Sequence, residues 1–385
     1  MHRTFVNIVM PSLLFLTGCN GSDKTGSAGA PPFSSPDDTA SPEDTAIPEV
    51  DPNDISGMLE PIREGYDLPA LAALRIQGDT VTDHGVTGVR KLGDETLATL
   101  NDKWHIGSCT KAMTATLVGV HVDDGLLEWT STMQNLFPDL TDMHEDFRDV
   151  TIEMLLSHTG RIDDASANQD AIDTQTTDDS QWRGDLTRAI LRGEPGVSAG
   201  THQYSNYGYV MVGAILELLT GTSWEQLMRE RLFAPLGMTG CGFGPADTAG
   251  DVSQPWGHTA SEPVNDDNPS MLGPAGTVHC PLADWGLFIS DQMRAYNGAE
   301  SLLSDAQAEQ MFTVQANDYA MGWIVASAPT VGGNFFTHTG SNTFSIADVL
   351  VSPDINRAYL VATNRASDAD FGATVDTILA LHELD

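Results

Sequence analysis

Positive charge is scarce in this sequence. Its 385 residues include 18 lysines and arginines against 54 aspartates and glutamates, which gives a formal net charge of −36 at pH 7. Proteins that bind nucleic acids, or anionic membranes through their own charge, need clusters of basic residues. The composition therefore argues against both functions. We interpret the acidity as a property that favours solubility.

Long apolar runs are also scarce, and the one near the N-terminus is short. It extends from Phe5 to Leu16, whereas a membrane-spanning helix needs about 20 apolar residues. Basic residues precede it, which is typical of an export signal. The sequence L-T-G-C that ends at Cys19 resembles a bacterial lipobox, so we expect a lipoprotein-type signal peptide over residues 1–18 and a lipid on Cys19. An ordinary secretory signal with a chance cysteine is the alternative.

Cysteine is rare, and its spacing resembles no zinc site. The four cysteines are Cys19, Cys109, Cys241 and Cys280. Export would permit a disulfide between Cys241 and Cys280. Two free buried thiols at these two positions are an equally good interpretation, and the sequence leaves both open.

Large apolar residues are sparse over residues 19–50, which are rich in Gly, Ser, Pro, Asp and Thr. Such a segment cannot bury enough surface to fold, so we predict a flexible tether. Residues 51–385 are ample for a sizeable core. Strand-like patterns lie at both ends of this part and helix-like patterns between them. That order predicts an α+β domain formed by both ends of the chain, with a mostly helical subdomain at roughly 125–270.

The first motif that could take part in catalysis is Ser108-Cys-Thr-Lys111, at the start of a helix predicted to extend to about Val122. Residues i and i+3 of a helix lie on one face, with Cβ atoms about 5–6 Å apart. A partly buried lysine at that distance can lose its proton and then accept one from the serine. S-x-x-K alone is a weak signal, but it gains weight because the chain has few lysines: Lys24, Lys91, Lys103 and Lys111.

Two further motifs follow in order. Tyr204-Ser-Asn206 opens an apolar stretch, and His338-Thr-Gly-Ser341 follows a strand-like segment. The succession S-x-x-K, Y-x-N and H-T-G resembles the serine β-lactamase and penicillin-recognising superfamily, above all class C β-lactamases, DD-peptidases and related esterases. The resemblance covers about residue 51 to the C-terminus. It implies an antiparallel sheet flanked by helices, a helical subdomain, and a cleft between them that holds the three motifs.

The resemblance also implies a role for each motif residue. Ser108 would be the nucleophile that forms an acyl-enzyme, and Lys111 and Tyr204 would together remove and return its proton. The main-chain N–H groups of Ser108 and Ser341 would form the oxyanion hole, whose donors typically contribute about 10²–10³ in turnover. The substrate-binding residues would be Asn206, His338, Thr339, Gly340 and Ser341. No metal or organic cofactor is needed for this chemistry.

Two other matches compete with these motifs. Gly196-Val-Ser198-Ala-Gly200 fits the G-x-S-x-G elbow of α/β-hydrolases, but that elbow needs a preceding strand, and none is predicted there. His158-Thr-Gly160 repeats the third motif, but it ends an apolar helix and precedes the second motif. We therefore interpret it as a helix C-terminus. An α/β-hydrolase that uses Ser198 remains the less favoured enzyme hypothesis.

The third motif departs from the class C pattern in one residue. Those β-lactamases have a lysine where His338 stands, and histidine is mostly neutral at pH 7. The chain also has no lysine or arginine between Arg294 and Arg357. An anionic β-lactam or peptide terminus would therefore meet little charge, and neutral acyl substrates fit better. H-T-G also occurs in DD-peptidases and D-amino-acid peptidases, which keeps peptides open.

These observations predict an exported serine hydrolase, anchored through Cys19 and facing the periplasm, that acts on a small-molecule or peptide ester or amide. The alternative from another class is a non-catalytic envelope protein that binds peptidoglycan-like ligands through the same cleft. The sequence favours no particular oligomeric state.

Overall fold

An antiparallel sheet of six strands lies at the centre of the fold. The strands follow the order β2-β1-β11-β10-β9-β8 across it. They are β1 (Ala70–Gln77), β2 (Thr80–Gly88), β8 (Ile324–Ala328), β9 (Gly333–Ser341), β10 (Ile346–Ser352) and β11 (Arg357–Thr363). The short strands between them are β3 (Lys103–His105), β4 (Gly242–Phe243), β5 (Gly257–His258), β6 (Pro263–Val264) and β7 (Val278–Pro281). Both ends of the domain therefore build the main sheet, as predicted.

The computed structural model describes residues 51–164, 178–247 and 250–384. The predicted signal peptide, Cys19 and the tether lie outside them. The helices are α1 (Ser56–Gly65), α2 (Thr110–Asp123), α3 (Met133–Leu136), α4 (Ile152–Leu156), α5 (Asp179–Arg192), α6 (Asn206–Thr220), α7 (Trp224–Met228), α8 (Ala234–Leu236), α9 (Gly273–Gly276), α10 (Leu282–Tyr296), α11 (Asp305–Phe312) and α12 (Asp368–His382). Most of them lie between the two groups of strands, which confirms the α+β prediction. No helix in these ranges is long and apolar enough to cross a membrane.

Apolar side chains cover both faces of the sheet. Successive residues of a strand point to opposite faces, and β1 shows the result. Leu71 and Ala73 join a core formed with helices α1 and α12. Leu74 and Ile76 join the larger core on the other face, which α10 and α2 share. Because helices cover both faces, the central strands β10 and β11 are buried almost throughout.

Helix α2 passes through the interior of the domain. Each residue from Thr110 to His121 is buried, and a helix enclosed on all sides needs no polar face. A single 3₁₀ turn, Gly107–Cys109, leads into the helix. Ser108 therefore stands at its N-terminus, half-buried, with Lys111 one turn further along.

The cysteines resolve the alternative that the sequence left open. Cys241 and Cys280 form a disulfide bond, and Cys109 is a free, buried thiol. The bond lies beside the ladder that joins β4 to β7, where Gly242 is paired with His279.

Candidate active site

Lys111 lies between three oxygen atoms that come from three parts of the chain. Its Nζ donates to the Oγ of Ser108 at 3.0 Å, to the Oδ1 of Asn206 at 2.8 Å and to the main-chain oxygen of Ala275 at 2.8 Å. The lysine is fully buried. A protonated amine has three N–H groups, so the site satisfies the charged form completely.

The same contacts also fit the neutral amine. A neutral amine has two N–H groups and one lone pair. The amide oxygen of Asn206 and the carbonyl oxygen of Ala275 can only accept hydrogen bonds, so they take the two N–H groups. The lone pair then faces the hydroxyl of Ser108, which can donate. The site therefore orients Lys111 to receive the proton of Ser108.

Burial makes the neutral form accessible at ordinary pH. Removal from water lowers the pKa of Lys111 to about 7, and the negative charge of Asp164 opposes this shift. At neutral pH a large share of the protein therefore holds the amine in the state that can act as a base.

Tyr204 contacts the same serine. Burial raises the pKa of Tyr204 well above its ordinary value, and a hydrogen bond with Ser108 partly offsets the shift. The phenol therefore stays protonated at neutral pH. Its ring packs on the ring of His158, with centroids 4.2 Å apart, and lies 4.8 Å from the Nζ of Lys111. The structure thus brings Ser108, Lys111 and Tyr204 into one cluster.

His338 is held as a neutral ring with a defined tautomer. Its Nδ1 lies 2.7 Å from the carbonyl oxygen of Thr339, which can only accept, so Nδ1 carries the hydrogen. Its Nε2 then accepts from the hydroxyl of Tyr319 at 3.0 Å. Burial lowers the pKa of His338 to about 3, and the nearby Lys111 adds to this. The ring therefore supplies no positive charge to the cleft.

The side chain of Thr339 points to the other face of the sheet. It lies opposite Asp348 in the β9–β10 ladder, and its hydroxyl donates to that carboxylate, which also accepts from Thr374 of α12. The hydroxyl is thus turned toward α12, which does not fit the predicted substrate contact through this side chain. The contact of Thr339 with the substrate therefore stays a prediction.

Two glycines allow the first and third motifs to touch. A Cβ on Gly340 would lie 1.9 Å from the carbonyl oxygen of Ile106 and 2.8 Å from the N of Ser108. A Cβ on Gly107 would lie 2.3 Å from the N of Ser341, and Gly107 has a φ of +49°. The contact brings the main-chain nitrogens of Ser108 and Ser341, the predicted oxyanion donors, to the same junction.

Sequence reasoning missed the segment that supports the second motif. The Nδ1 of His158 accepts from the N–H of Ser205 at 3.1 Å, and its main-chain oxygen accepts from Gln203 at 2.8 Å. Asp164 binds the start of α6 from the same side. The repeated H-T-G at His158 was noticed in the sequence but was interpreted only as a helix C-terminus, so this support was overlooked. No such signal marks Asp164, Tyr319 or Ala275.

Ser198 belongs to none of the three motifs. It is exposed, in the loop that follows α5, and no strand lies between that helix and the loop. The strand–turn–helix setting that a nucleophile elbow requires is absent there. Among the described residues, no group of three or more histidine, cysteine, aspartate or glutamate side chains could hold a metal ion.

Known proteins resemble this chain over most of its length. The family model Beta-lactamase matches residues 55–383. Penicillin-binding protein 4 of Amycolatopsis lactamdurans is 27% identical over 324 residues, or 79% of this chain and 83% of that protein. Protein flp of Staphylococcus aureus is 24% identical, and the match spans 80% of this chain but only 61% of flp. The solved structure of the D-alanine carboxypeptidase AmpC of Burkholderia cenocepacia matches with a TM-score of 0.66 at 20% identity, over 84% of this chain and 97% of that one.

The chain therefore belongs to the beta-lactamase family, and the resemblance inferred from the three motifs is confirmed. It is a serine hydrolase related to the β-lactamases and penicillin-binding proteins, and its substrate is a small molecule or a peptide.

Proposed function

We propose that this protein is an exported serine hydrolase that cleaves an ester, amide or peptide bond through a covalent acyl-enzyme on Ser108. The observation that carries this proposal is the environment of Lys111, whose Nζ lies 2.8 Å from oxygens of Asn206 and Ala275 and 3.0 Å from the Oγ of Ser108. In the neutral amine these contacts take both N–H groups and leave the lone pair facing Ser108. A cleft that only binds ligands has no need of a buried amine poised in this way.

In the proposed first step, the Oγ of Ser108 attacks the substrate carbonyl while its proton passes to Lys111. A C–O bond forms, and the carbonyl electron pair moves onto oxygen, where the N–H groups of Ser108 and Ser341 stabilise the negative charge. When the intermediate collapses, the leaving group takes the hydroxyl proton of Tyr204. The proton on Lys111 then replaces it, which returns both groups to their starting states.

A water molecule repeats the sequence on the acyl-enzyme. It gives a proton to Lys111 and attacks the ester carbon, and Ser108 leaves with a proton. The amine has partners in both of its proton states, so it can serve first as acceptor and then as donor without rearrangement. Lys111 is the better base of the two candidates, because its pKa lies near neutrality and that of Tyr204 lies far above it.

We propose uncharged acyl compounds as the preferred substrates. Support comes from His338, which is neutral and fully engaged with Tyr319 and its own neighbour. The relatives named as a penicillin-binding protein and a D-alanine carboxypeptidase keep peptides as the second candidate class. Rates on short p-nitrophenyl esters, a D-Ala-D-Ala peptide and nitrocefin distinguish the classes. Fast nitrocefin turnover would contradict the preference for uncharged substrates.

A fluorescent fluorophosphonate, which phosphonylates an activated serine with loss of fluoride, tests the mechanism. We expect it to label the wild type and Ser198→Ala, but not Ser108→Ala, because only the true nucleophile forms the adduct. Labelling that survives Ser108→Ala but disappears in Ser198→Ala would favour the α/β-hydrolase hypothesis. Folded wild-type protein that takes no label would favour the non-catalytic binder.

We also propose export and a lipid anchor on Cys19, which would place the enzyme in the cell envelope, facing the periplasm. The N-terminal sequence supports this, with its short apolar run ending in L-T-G-C. Mass spectrometry of protein extracted from membranes should find an acylated Cys19 as the first residue. An unmodified mature N-terminus would rule out the anchor.

A further inference from the structure

Helix α6 begins at Asn206, two residues after Tyr204, and its start is held by a carboxylate from outside the three motifs. Asp164 accepts from the main-chain N–H of Asn206 at 2.8 Å and of Tyr207 at 3.3 Å, and from the hydroxyl of Ser205 at 2.5 Å. The first N–H groups of a helix have no partner within it. Asp164 satisfies two of them and so fixes the backbone on both sides of Asn206, next to Tyr204.

Asp164 also acts on Lys111 through its charge. The N-terminus of a helix bears roughly half a positive charge, and the start of α6 meets the amine through the side chain of Asn206. Burial lowers the pKa of Lys111, and the charge of Asp164 opposes that shift. The carboxylate therefore offsets the positive end of the helix and limits the loss of basicity at the amine.

The other titratable groups around the amine are neutral near pH 7. Two are tyrosines, one is a thiol and two are imidazoles: Tyr204, Tyr209, Cys109, His158 and His338. Burial raises the pKa of the tyrosines and the thiol and lowers the pKa of the imidazoles. Among these described neighbours, Asp164 is the group whose negative charge favours the protonated amine.

We propose that Asp164 is a positioning residue for the acyl transfer: it fixes Asn206 and Tyr204 against Lys111 and supplies the negative charge that keeps this amine able to receive the serine proton. The inference rests on the function proposed above. Asp164 acts through Asn206 and through its field, and not by contact with the reacting atoms.

Titration of Lys111 tests this inference without any substrate. The chain has four lysines, so the full chain labelled with ¹³C and ¹⁵N in lysine gives few side-chain NMR signals. The Lys111 signal is the one that disappears in Lys111→Met. We expect its midpoint near pH 7 in the wild type, and about one pH unit lower in Asp164→Asn. Asp163→Asn makes the same charge change one residue earlier and should leave the midpoint in place.

Ester hydrolysis gives a second readout. In Asp164→Asn the acid limb of the pH profile of kcat/KM should move to lower pH, together with the Lys111 midpoint. The plateau value of kcat/KM should fall by about 10-fold or more, because Asn206 and Tyr204 lose their alignment. A purely structural residue would lower the plateau and leave the limb in place. Should Asp164→Asn fail to fold, Asp164→Ser carries the same expectation for the midpoint, because serine is small and has no charge.

The two proposals fail in different ways. An unmoved Lys111 midpoint in a folded, uncharged Asp164 variant overturns the role of Asp164, whatever happens to the rate. Absence of both ester turnover and Ser108 labelling in the wild type overturns the proposed function, and the NMR titration still decides whether Asp164 sets the proton affinity of Lys111.

Discussion

Lys111 derives its chemistry from residues that are distant in the sequence. The i, i+3 spacing brings its side chain to Ser108, and that contact could be predicted from sequence alone. Asn206 could be predicted only through the family motif. Ala275 could not be predicted, because a main-chain carbonyl is the same in every residue and leaves no mark in the sequence. The contact of Lys111 with Ser108 can therefore be predicted from sequence spacing, whereas its contacts with Asn206 and Ala275 depend on the tertiary fold.

The titration of Lys111 should set the lower pH limit of activity. The base must be neutral, and burial lowers the pKa of Lys111 to about 7. We therefore expect kcat/KM for a p-nitrophenyl ester to fall about tenfold per pH unit below pH 7 and to level off above it. The measurement is a pH series of initial rates at low substrate concentration.

His202 provides the control for this pH profile. It lies near the cluster, 5.8 Å from the rings of His158 and Tyr319, and histidine is the residue that most often titrates in this pH range. In His202→Asn the midpoint of the acid limb of the kcat/KM profile should stay at the same pH. A midpoint that disappears with His202 would assign the limb to this histidine and contradict the role of Lys111.

Strand β9 carries the H-T-G motif, and its geometry decides which face of the sheet each side chain of the motif points to. The motif H-T-G was expected directly after a strand, but it lies inside β9, so side chains alternate along it. His338 faces the interior near Lys111, whereas the hydroxyl of Thr339 faces Asp348 and α12. The motif alone does not say which side chain faces the cleft, whereas the period of two residues along a strand does.

The contact between β9 and the start of α2 should tolerate no methyl group at Gly107. We expect Gly107→Ala to reduce ester hydrolysis by at least about 100-fold, because the new Cβ would lie 2.3 Å from the N of Ser341 and push the predicted oxyanion donors apart. Rates and circular dichroism on the purified variant measure the effect and check the fold.

Gly221→Ala is the control that separates the steric clash from backbone strain. Gly221 also has a positive φ, +68°, at the end of α6, but a Cβ there would meet nothing within 4 Å. Gly221→Ala should therefore cost about 1 kcal/mol in the free energy of unfolding and leave the rate nearly unchanged. Equal rate losses in the two variants would show that backbone strain, rather than the contact with Ser341, explains the result.

The architecture of the whole molecule was predictable because the order of its elements is unusual. Strands at both ends with helices between them require a sheet closed by the two ends, and β1 indeed pairs with β11. The disulfide was not predictable in this way. Cys241 and Cys280 are neighbours only because β4 pairs with β7, and β4 has just two residues, too few to give a sequence pattern.

Loss of the disulfide should destabilise the protein without changing its site. The bond joins residues 39 apart in the sequence, for which loop-closure entropy gives about 3–4 kcal/mol. The double variant Cys241→Ala/Cys280→Ala should therefore unfold at a lower urea concentration, as followed by tryptophan fluorescence. A reductant should bring the wild type toward the variant and leave the variant unaffected. Coincident unfolding curves would show that the bond contributes nothing.

The pairing of β1 with β11 has a consequence for biosynthesis. Leu71 finds its ladder partner in Thr363, so a ribosome must synthesise the chain beyond Thr363 before the first strand can close the sheet. Long-range pairings of this kind also slow folding. If the proposed export occurs during synthesis, a chain whose N-terminus has reached the translocation channel would still lack this closing pair, and it could cross the channel unfolded.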